Sequence, residues 1–258
     1  MMRVSKPTIS PRPSSPTLRC LRMICLALMI WLGATGAAAG EPSWEFWPET
    51  DLWLRLSPAW RLSSYISLSK NIETYYREGN LLLQADYGWG KRTFLYRTRM
   101  LDEGRAQNKM NALLARGGYL GGRSLGDHGE AYGEHTMFFE LHARTPLKYG
   151  FLLSNRVRTD LRWLGDTPEF SYRLRYRLMV EKEVGVGGSS IVPYANVEAY
   201  YDSRYEIVNR VRLIGGASVA LSPRFALEGD ITYQNDTRSS VTELYALNVI
   251  LHVYFEPR

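Results

Sequence analysis

Cysteine is almost missing from this sequence. Two occur in 258 residues, Cys20 and Cys25, and none follows. From residue 26 onward the chain can form no disulfide, offer no thiolate nucleophile and build no cysteine–zinc site. Long apolar runs are missing too: beyond residue 40 nothing approaches the roughly 20 consecutive apolar residues that a membrane-crossing helix needs. Acid is missing from residues 1–40, and that local absence changes how the whole composition reads.

Those forty residues carry Arg3, Lys6, Arg12, Arg19 and Arg22, then the uncharged apolar run Met23 to Leu32. Small residues follow from Gly33 to Gly40, with Ala37 and Ala39 at the spacing that a signal peptidase reads. The pattern predicts an export signal over 1–40, cleaved after Ala39 or Gly40, and one domain over 41–258. A membrane anchor would need a longer apolar segment. Lipid attachment would need a small residue before the cysteine, where Cys25 has Ile24 and Cys20 has Arg19. The chain counts 32 Lys+Arg against 26 Asp+Glu, but five of those bases precede Glu41, leaving 27 against 26. A nearly neutral body gives no warrant for a nucleic-acid partner.

What is present is alternation. From Asp51 on, apolar residues recur at every second position, the period of a strand with one oily and one wet face. Phe170, Tyr172, Leu174, Tyr176, Leu178 and Val180 alternate with Ser171, Arg173, Arg175, Arg177, Met179 and Glu181; residues 151–163, 210–221 and 225–234 follow the same rule. Strands of soluble sandwiches usually run about five or six residues, whereas tilted strands crossing a bilayer need about 9 to 11. Eleven segments qualify: 51–56, 60–70, 80–88, 108–118, 134–145, 151–164, 170–184, 192–202, 207–221, 225–235 and 244–255. Single-chain bacterial barrels have even strand numbers. The expected fold is therefore all-β, a closed antiparallel transmembrane β-barrel of about 12 strands. Ten is the alternative, and Trp44 to Glu49 or Arg92 to Met100 would supply a twelfth.

The connections sort into two kinds. Ser57 to Ala59, Pro146 to Gly150 and Ser222 to Arg224 read as short periplasmic turns; Asn71 to Asn80, Gly121 to Gly133, Gly165 to Glu169 and Asn235 to Val241 read as looser outer loops. Gly88 to Gln107 and the glycine-rich Gly185 to Ser190 are assigned to the periplasmic side. Gly117-Gly118 and Gly121-Gly122 read as flanking a strand end, where small residues permit a bend.

The last strand puts Leu247, Val249, Leu251, Val253 and Phe255 on one face. A C-terminal amphipathic strand ending in an aromatic resembles the segment by which the barrel-assembly machinery recognises its clients, so Leu251, Val253 and Phe255 are the expected assembly signal, here followed by Glu256-Pro257-Arg258. Five further segments carry a family resemblance: Phe-Trp-Pro-Glu-Thr-Asp-Leu-Trp-Leu-Arg-Leu-Ser at 46–57, Ser-Tyr-Arg-Leu-Arg-Tyr-Arg-Leu at 171–178, Glu-Ala-Tyr-Tyr-Asp-Ser-Arg-Tyr at 198–205, Tyr-Gln-Asn-Asp-Thr-Arg-Ser-Ser at 233–240 and His-Val-Tyr-Phe at 252–255. Together they resemble the bacterial family called domain of unknown function 2490. The resemblance implies an outer-membrane barrel and brings no catalytic residues with it.

The wet face holds the candidate site, a lumen charge network of Arg156, Arg158, Arg162, Arg173, Arg175, Arg177, Arg210 and Arg212 against Glu198, Asp202, Glu228 and Asp230. If sequence neighbours pair, Arg173 to Arg177 border Glu198 and Asp202, and Arg210 and Arg212 lie between two acidic strands. Such a network either fills a narrow structural lumen or forms a constriction that admits small polar or anionic solutes. The alternative is a lipid-modifying hydrolase or acyltransferase, which needs a serine within reach of an oriented histidine. The candidates are His128, His135, His142 and His252, with Ser154 facing His142. No spacing suggests a metal or cofactor. The expected partners are outer-membrane lipids, lipopolysaccharide and the assembly machinery; the expected location is the outer membrane; strand number, pore state and oligomeric state are left open.

Overall fold

The computed structural model describes residues 42–72, 77–93, 109–125, 133–165, 169–186, 189–239 and 241–255. The expected leader, His128 and most of the Gly88 to Gln107 segment lie outside these residues. The strands are β1 (Ser43–Arg55), β2 (Trp60–Asn71), β3 (Arg77–Thr93), β4 (Lys109–Ser124), β5 (Gly133–Pro146), β6 (Phe151–Leu164), β7 (Glu169–Lys182), β8 (Val184–Val186), β9 (Ser189–Asp202), β10 (Ile207–Ala220), β11 (Phe225–Asp236) and β12 (Glu243–Phe255). The only helical turn among them is the three-residue 3₁₀ segment Lys148–Gly150.

All twelve strands join one sheet, and eleven of them close it into a ring, with β9 pairing directly to both β7 and β10. These eleven are the eleven segments legible in the alternation. Trp44 to Glu49 lengthens β1 and is not a separate strand. The odd number dictates the seam. In an up-and-down meander the first and eleventh strands run the same way, so β1 and β12 pair in parallel, from Ser43 opposite Leu244 to Leu54 opposite Phe255. Every other pairing in the ring is antiparallel. The short β8, outside the ring, is the continuation of β7. Glu181 opposite Tyr194 and Val184 opposite Ile191 share one register, and the ladder lapses between them opposite Val192 and Pro193, the latter having no N–H to donate. Pro48 has the same effect on the β1–β2 ladder, which skips Trp47 and Pro48.

Three local expectations are corrected. Gly88 to Thr93 is strand and not connection, because β3 stays paired to β4 out to Thr93 opposite Lys109. Gly185 to Ser190 is mostly hairpin strand, with Val186 opposite Ser189. Gly117, Gly118, Gly121 and Gly122 lie within β4 and not at its end. At Gly118 the reason is space: a Cβ there would lie 2.5 Å from Phe138 Cζ and 2.6 Å from the Leu83 carbonyl oxygen. The missing side chain makes room for the fully buried ring of Phe138.

The ring is polar inside and apolar outside. Buried residues include Asp51, Asp86, Glu140, Arg156, Arg158, Asp160, Arg162, Glu198 and Asp202, while Phe139, Ile231, Ile66 and Val157 are each more than half exposed on the outer face. Outward aromatics gather at the two rims. At one, Trp44 stacks on Tyr245, Tyr233 packs beside Tyr245, and Trp163 meets Phe170; at the other, Trp60, Tyr87 and Trp89 form a run and Phe255 ends β12. Along β12 the outward face is aromatic at Tyr245 and at Phe255 and aliphatic between. Those ten residues at about 3.4 Å each, tilted by about 40°, place the belts about 25 Å apart.

Candidate functional site

The ring encloses a cavity of about 1270 Å³ whose lining reaches from Glu45, Asn71 and Ser239 at one rim to Glu183, Ser190 and Ala220 at the other. The charged side chains line this cavity. Alternation decides which they are: with apolar partners turned outward, the polar residues of every strand must face in.

One wall, on β2 to β9, is an arginine network. Glu140 on β5 is its hub, accepting from Arg158 Nη1 at 2.9 Å, Arg116 Nη1 at 3.2 Å and Arg156 Nη1 at 3.5 Å, with His142 Nε2 at 2.8 Å. Asp86 holds Arg116 Nε at 2.6 Å and Arg61 Nη2 at 2.9 Å. Glu198 on β9 accepts from Arg156 and, at 2.9 Å, from Arg175 Nε. Asp160 accepts from Arg158. At the rim, Asp202 faces Arg173 at 3.2 Å and Arg162 at 3.4 Å, and Arg162 also donates to Glu134 at 3.0 Å. In the turn beyond, Arg204 donates to Asp202 from Nη2 at 2.7 Å, and this bond pushes its guanidinium above its ordinary value.

Register explains the network. Pairing β7 with β9 sets Arg173 opposite Asp202 and Arg177 opposite Glu198, so the charges expected to border one another are brought together. Arg210 and Arg212 meet a different partner strand position than expected. Arg210 Nε donates to Asp236 at 2.7 Å and Arg212 Nε to Gln234 at 2.6 Å, because β11 runs past β10 with Asp236 and Gln234 at that level. Glu228 and Asp230 sit further along, opposite Ser218 and Gly216.

They belong instead to a second wall, on β1, β11 and β12, that is acidic. The Tyr194 hydroxyl lies 2.6 Å from Glu228 and 3.0 Å from Asp230. Asn248 Nδ2 donates to Asp230 at 2.6 Å. His252 is held between Glu228 at 3.1 Å and Asp51 at 3.1 Å, and Glu49 shares the inward face of β1 with Asp51. Among the described residues, no three of these carboxylate and imidazole groups converge closely enough to hold a metal ion.

Sequence reasoning missed Asp86, Arg116 and Arg61, each set apart along its strand from the other charges there, and above all Tyr200. This residue is 1% exposed. Its ring lies beneath the guanidiniums of Arg175, Arg212, Arg173 and Arg210 at 4.6 to 5.7 Å, an arrangement that the negative face of an aromatic ring favours. Its placement inward between Glu198 and Asp202 was readable from the alternation. Among the described residues the expected Ser154–His142 pair is not hydrogen-bonded: His142 is engaged by Glu140, His135 contacts Tyr119 on the outer face, and Ser154 lies opposite Arg144 and Met179. Leu251 and Phe255 are exposed on the outer face of β12, with Val253 between them on the same face of the strand. A family model described as a protein of unknown function, DUF2490, matches residues 30–244. No curated protein matches the chain.

Proposed function

We propose that this chain, which belongs to the DUF2490 family of proteins of unknown function, is an outer-membrane barrel whose polar lumen passes small polar solutes. The observation that carries this reading is the inverted distribution of polarity around a continuous cavity. A monomer in water rarely shows contiguous apolar area beyond a few hundred Å², and this ring is apolar around its whole circumference. In hydrocarbon the same surface is favourable, and closure leaves no unpaired sheet edge. The spacing of the aromatic belts agrees with the roughly 25 Å apolar band of outer-membrane barrels. Residues 1–40 would direct export, the outward face of β12 with Leu251, Val253 and Phe255 would be read by the assembly machinery, and lipids with lipopolysaccharide would surround the band.

A purely structural barrel would use its charges to fill the interior. Support for a lining that sorts solutes comes from the cavity of about 1270 Å³ between the two walls, whose lining includes residues near both rims. Purified protein added to planar bilayers is expected to produce stepwise conductance. Bilayers that stay sealed at high protein load would contradict the channel reading.

A further inference from the structure

We infer that the waist of the lumen is a binding site for small zwitterions, amino acids or short peptides, with the carboxylate received by Arg177 and the ammonium by Asp51 and Glu49. The inference rests on the proposed channel reading for solute access, and the geometry supplies the chemistry.

Arg177 is the exception in the arginine wall. Pairing places it between Arg156 on β6 and Glu198 on β9, yet the oxygens of Glu198 are taken by Arg156, Arg175 and the Tyr200 hydroxyl. Among the described residues Arg177 makes no hydrogen bond and no ion pair, and its side chain lines the cavity. A guanidinium has five N–H donors in a planar fork matched to a carboxylate. Leaving all five to water beside a second arginine is costly unless something arrives to use them.

Asp51 is its counterpart. It is 7% exposed, it lines the same cavity, and its Oδ1 has no hydrogen-bond partner. Among the described residues, His252 sits between it and Glu228. Going around the ring, β1 is six strands from β7 one way and five the other, which makes the two groups diametrically opposed. They also share a level. Carried round the ring from Asp51, the ladder register reaches Ser171 on β7 one way and the continuation of β7 near Gly185 the other, and Arg177 lies close to midway between them.

A lumen with surplus positive charge on one side and surplus negative charge on the other carries a field across its axis. A free anion entering it is attracted by one wall and repelled by the other, and so is a free cation. A solute bearing both charges satisfies both walls at once when it lies crosswise, and a neutral solute recovers nothing for the water it displaces. Among the described residues no three carboxylate or imidazole groups of the acidic side converge as a metal site would require, whereas an ammonium accepts scattered oxygens.

The test is calorimetric titration of the detergent-folded protein with glycylglycine, its N-acetyl derivative and its C-terminal amide, alongside entry of a neutral sugar into protein-loaded vesicles. Glycylglycine is expected to bind, and blocking either end is expected to weaken binding about tenfold, the factor that corresponds to about 1.4 kcal/mol. Arg177→Gln should erase the penalty for the amide while keeping that for the acetylated peptide. Asp51→Asn combined with Glu49→Gln should do the reverse. Arg177→Lys, which keeps the charge, should retain part of the amide discrimination and guards against a folding artefact. Equal binding of all three peptides, no binding of any, or discrimination that survives both variants would overturn the site. Peptide binding by a barrel that admits no sugar would leave the site standing and remove the channel.

Discussion

Glu140→Gln is expected to lower the stability of the folded barrel by about 3 kcal/mol, near the lower end of what removing one partner from a buried ion pair costs. The Glu140 carboxylate is 1% exposed and touches Arg116, Arg156 and Arg158 together with His142. Glutamine fills the same volume but leaves three guanidiniums facing one another across β4, β5 and β6. Water in the cavity screens part of that repulsion, which is why the lower figure is chosen. The contrast is Asp230→Asn. Asp230 is bonded to the neutral groups of Asn248, Tyr194 and Thr232 and neighbours Glu228, so removing its charge is expected to be neutral or mildly stabilising. Urea unfolding of both variants in vesicles checks the pair. Equal losses, or an unchanged Glu140→Gln midpoint, would mean that the arginine wall is not held by its carboxylates.

Val157→Arg carries the second large effect, a loss of about 2–4 kcal/mol in a bilayer, against about 1 kcal/mol or less for Phe170→Arg. Val157 is 53% exposed at the middle of β6 and Phe170 is 59% exposed in the aromatic belt near the start of β7. In water the two sites are equivalent, and exposed substitutions of this kind usually shift stability by no more than about 0.5 kcal/mol. Depth in lipid separates them, because arginine at the midplane must drag water with it while arginine at the belt reaches the headgroups. Unfolding of both variants from vesicles measures the difference, and equal values would count against the membrane reading.

Much of the fold was legible because a strand's period of two leaves little freedom. Once Arg173, Arg175 and Arg177 alternate with Leu174, Tyr176 and Leu178, the inward face of β7 is settled, and sequence-adjacent pairing brings Arg173 to Arg177 beside Glu198 and Asp202. Strand parity was not legible. It depends on whether the chain makes one more crossing, and local alternation says nothing about that. Pro48 and Pro193 were visible as residues, but which of the two flanking ladders each would interrupt follows from where its missing N–H would point. The division of the lumen into two walls was also hidden. Glu228 and Asp230 alternate as convincingly as Asp236, and only the β10–β11 register, Arg210 opposite Asp236, shows which acid an arginine meets. Tyr200 was overlooked because a tyrosine on a wet face is read by its hydroxyl, whereas here the ring itself receives the cations.

The direct test uses neighbouring positions on β2 that face opposite ways. Ile66 is exposed on the outer face and Ser67 lines the cavity, and no cysteine after Cys25 interferes. In outer-membrane preparations, Ser67→Cys is expected to react with a small water-soluble thiol reagent, while Ile66→Cys resists it and is quenched or labelled only by probes carried on acyl chains. Rapid aqueous labelling of Ile66→Cys, in protein recovered from the soluble fraction, would mean that the oily face looks into water and the account is wrong.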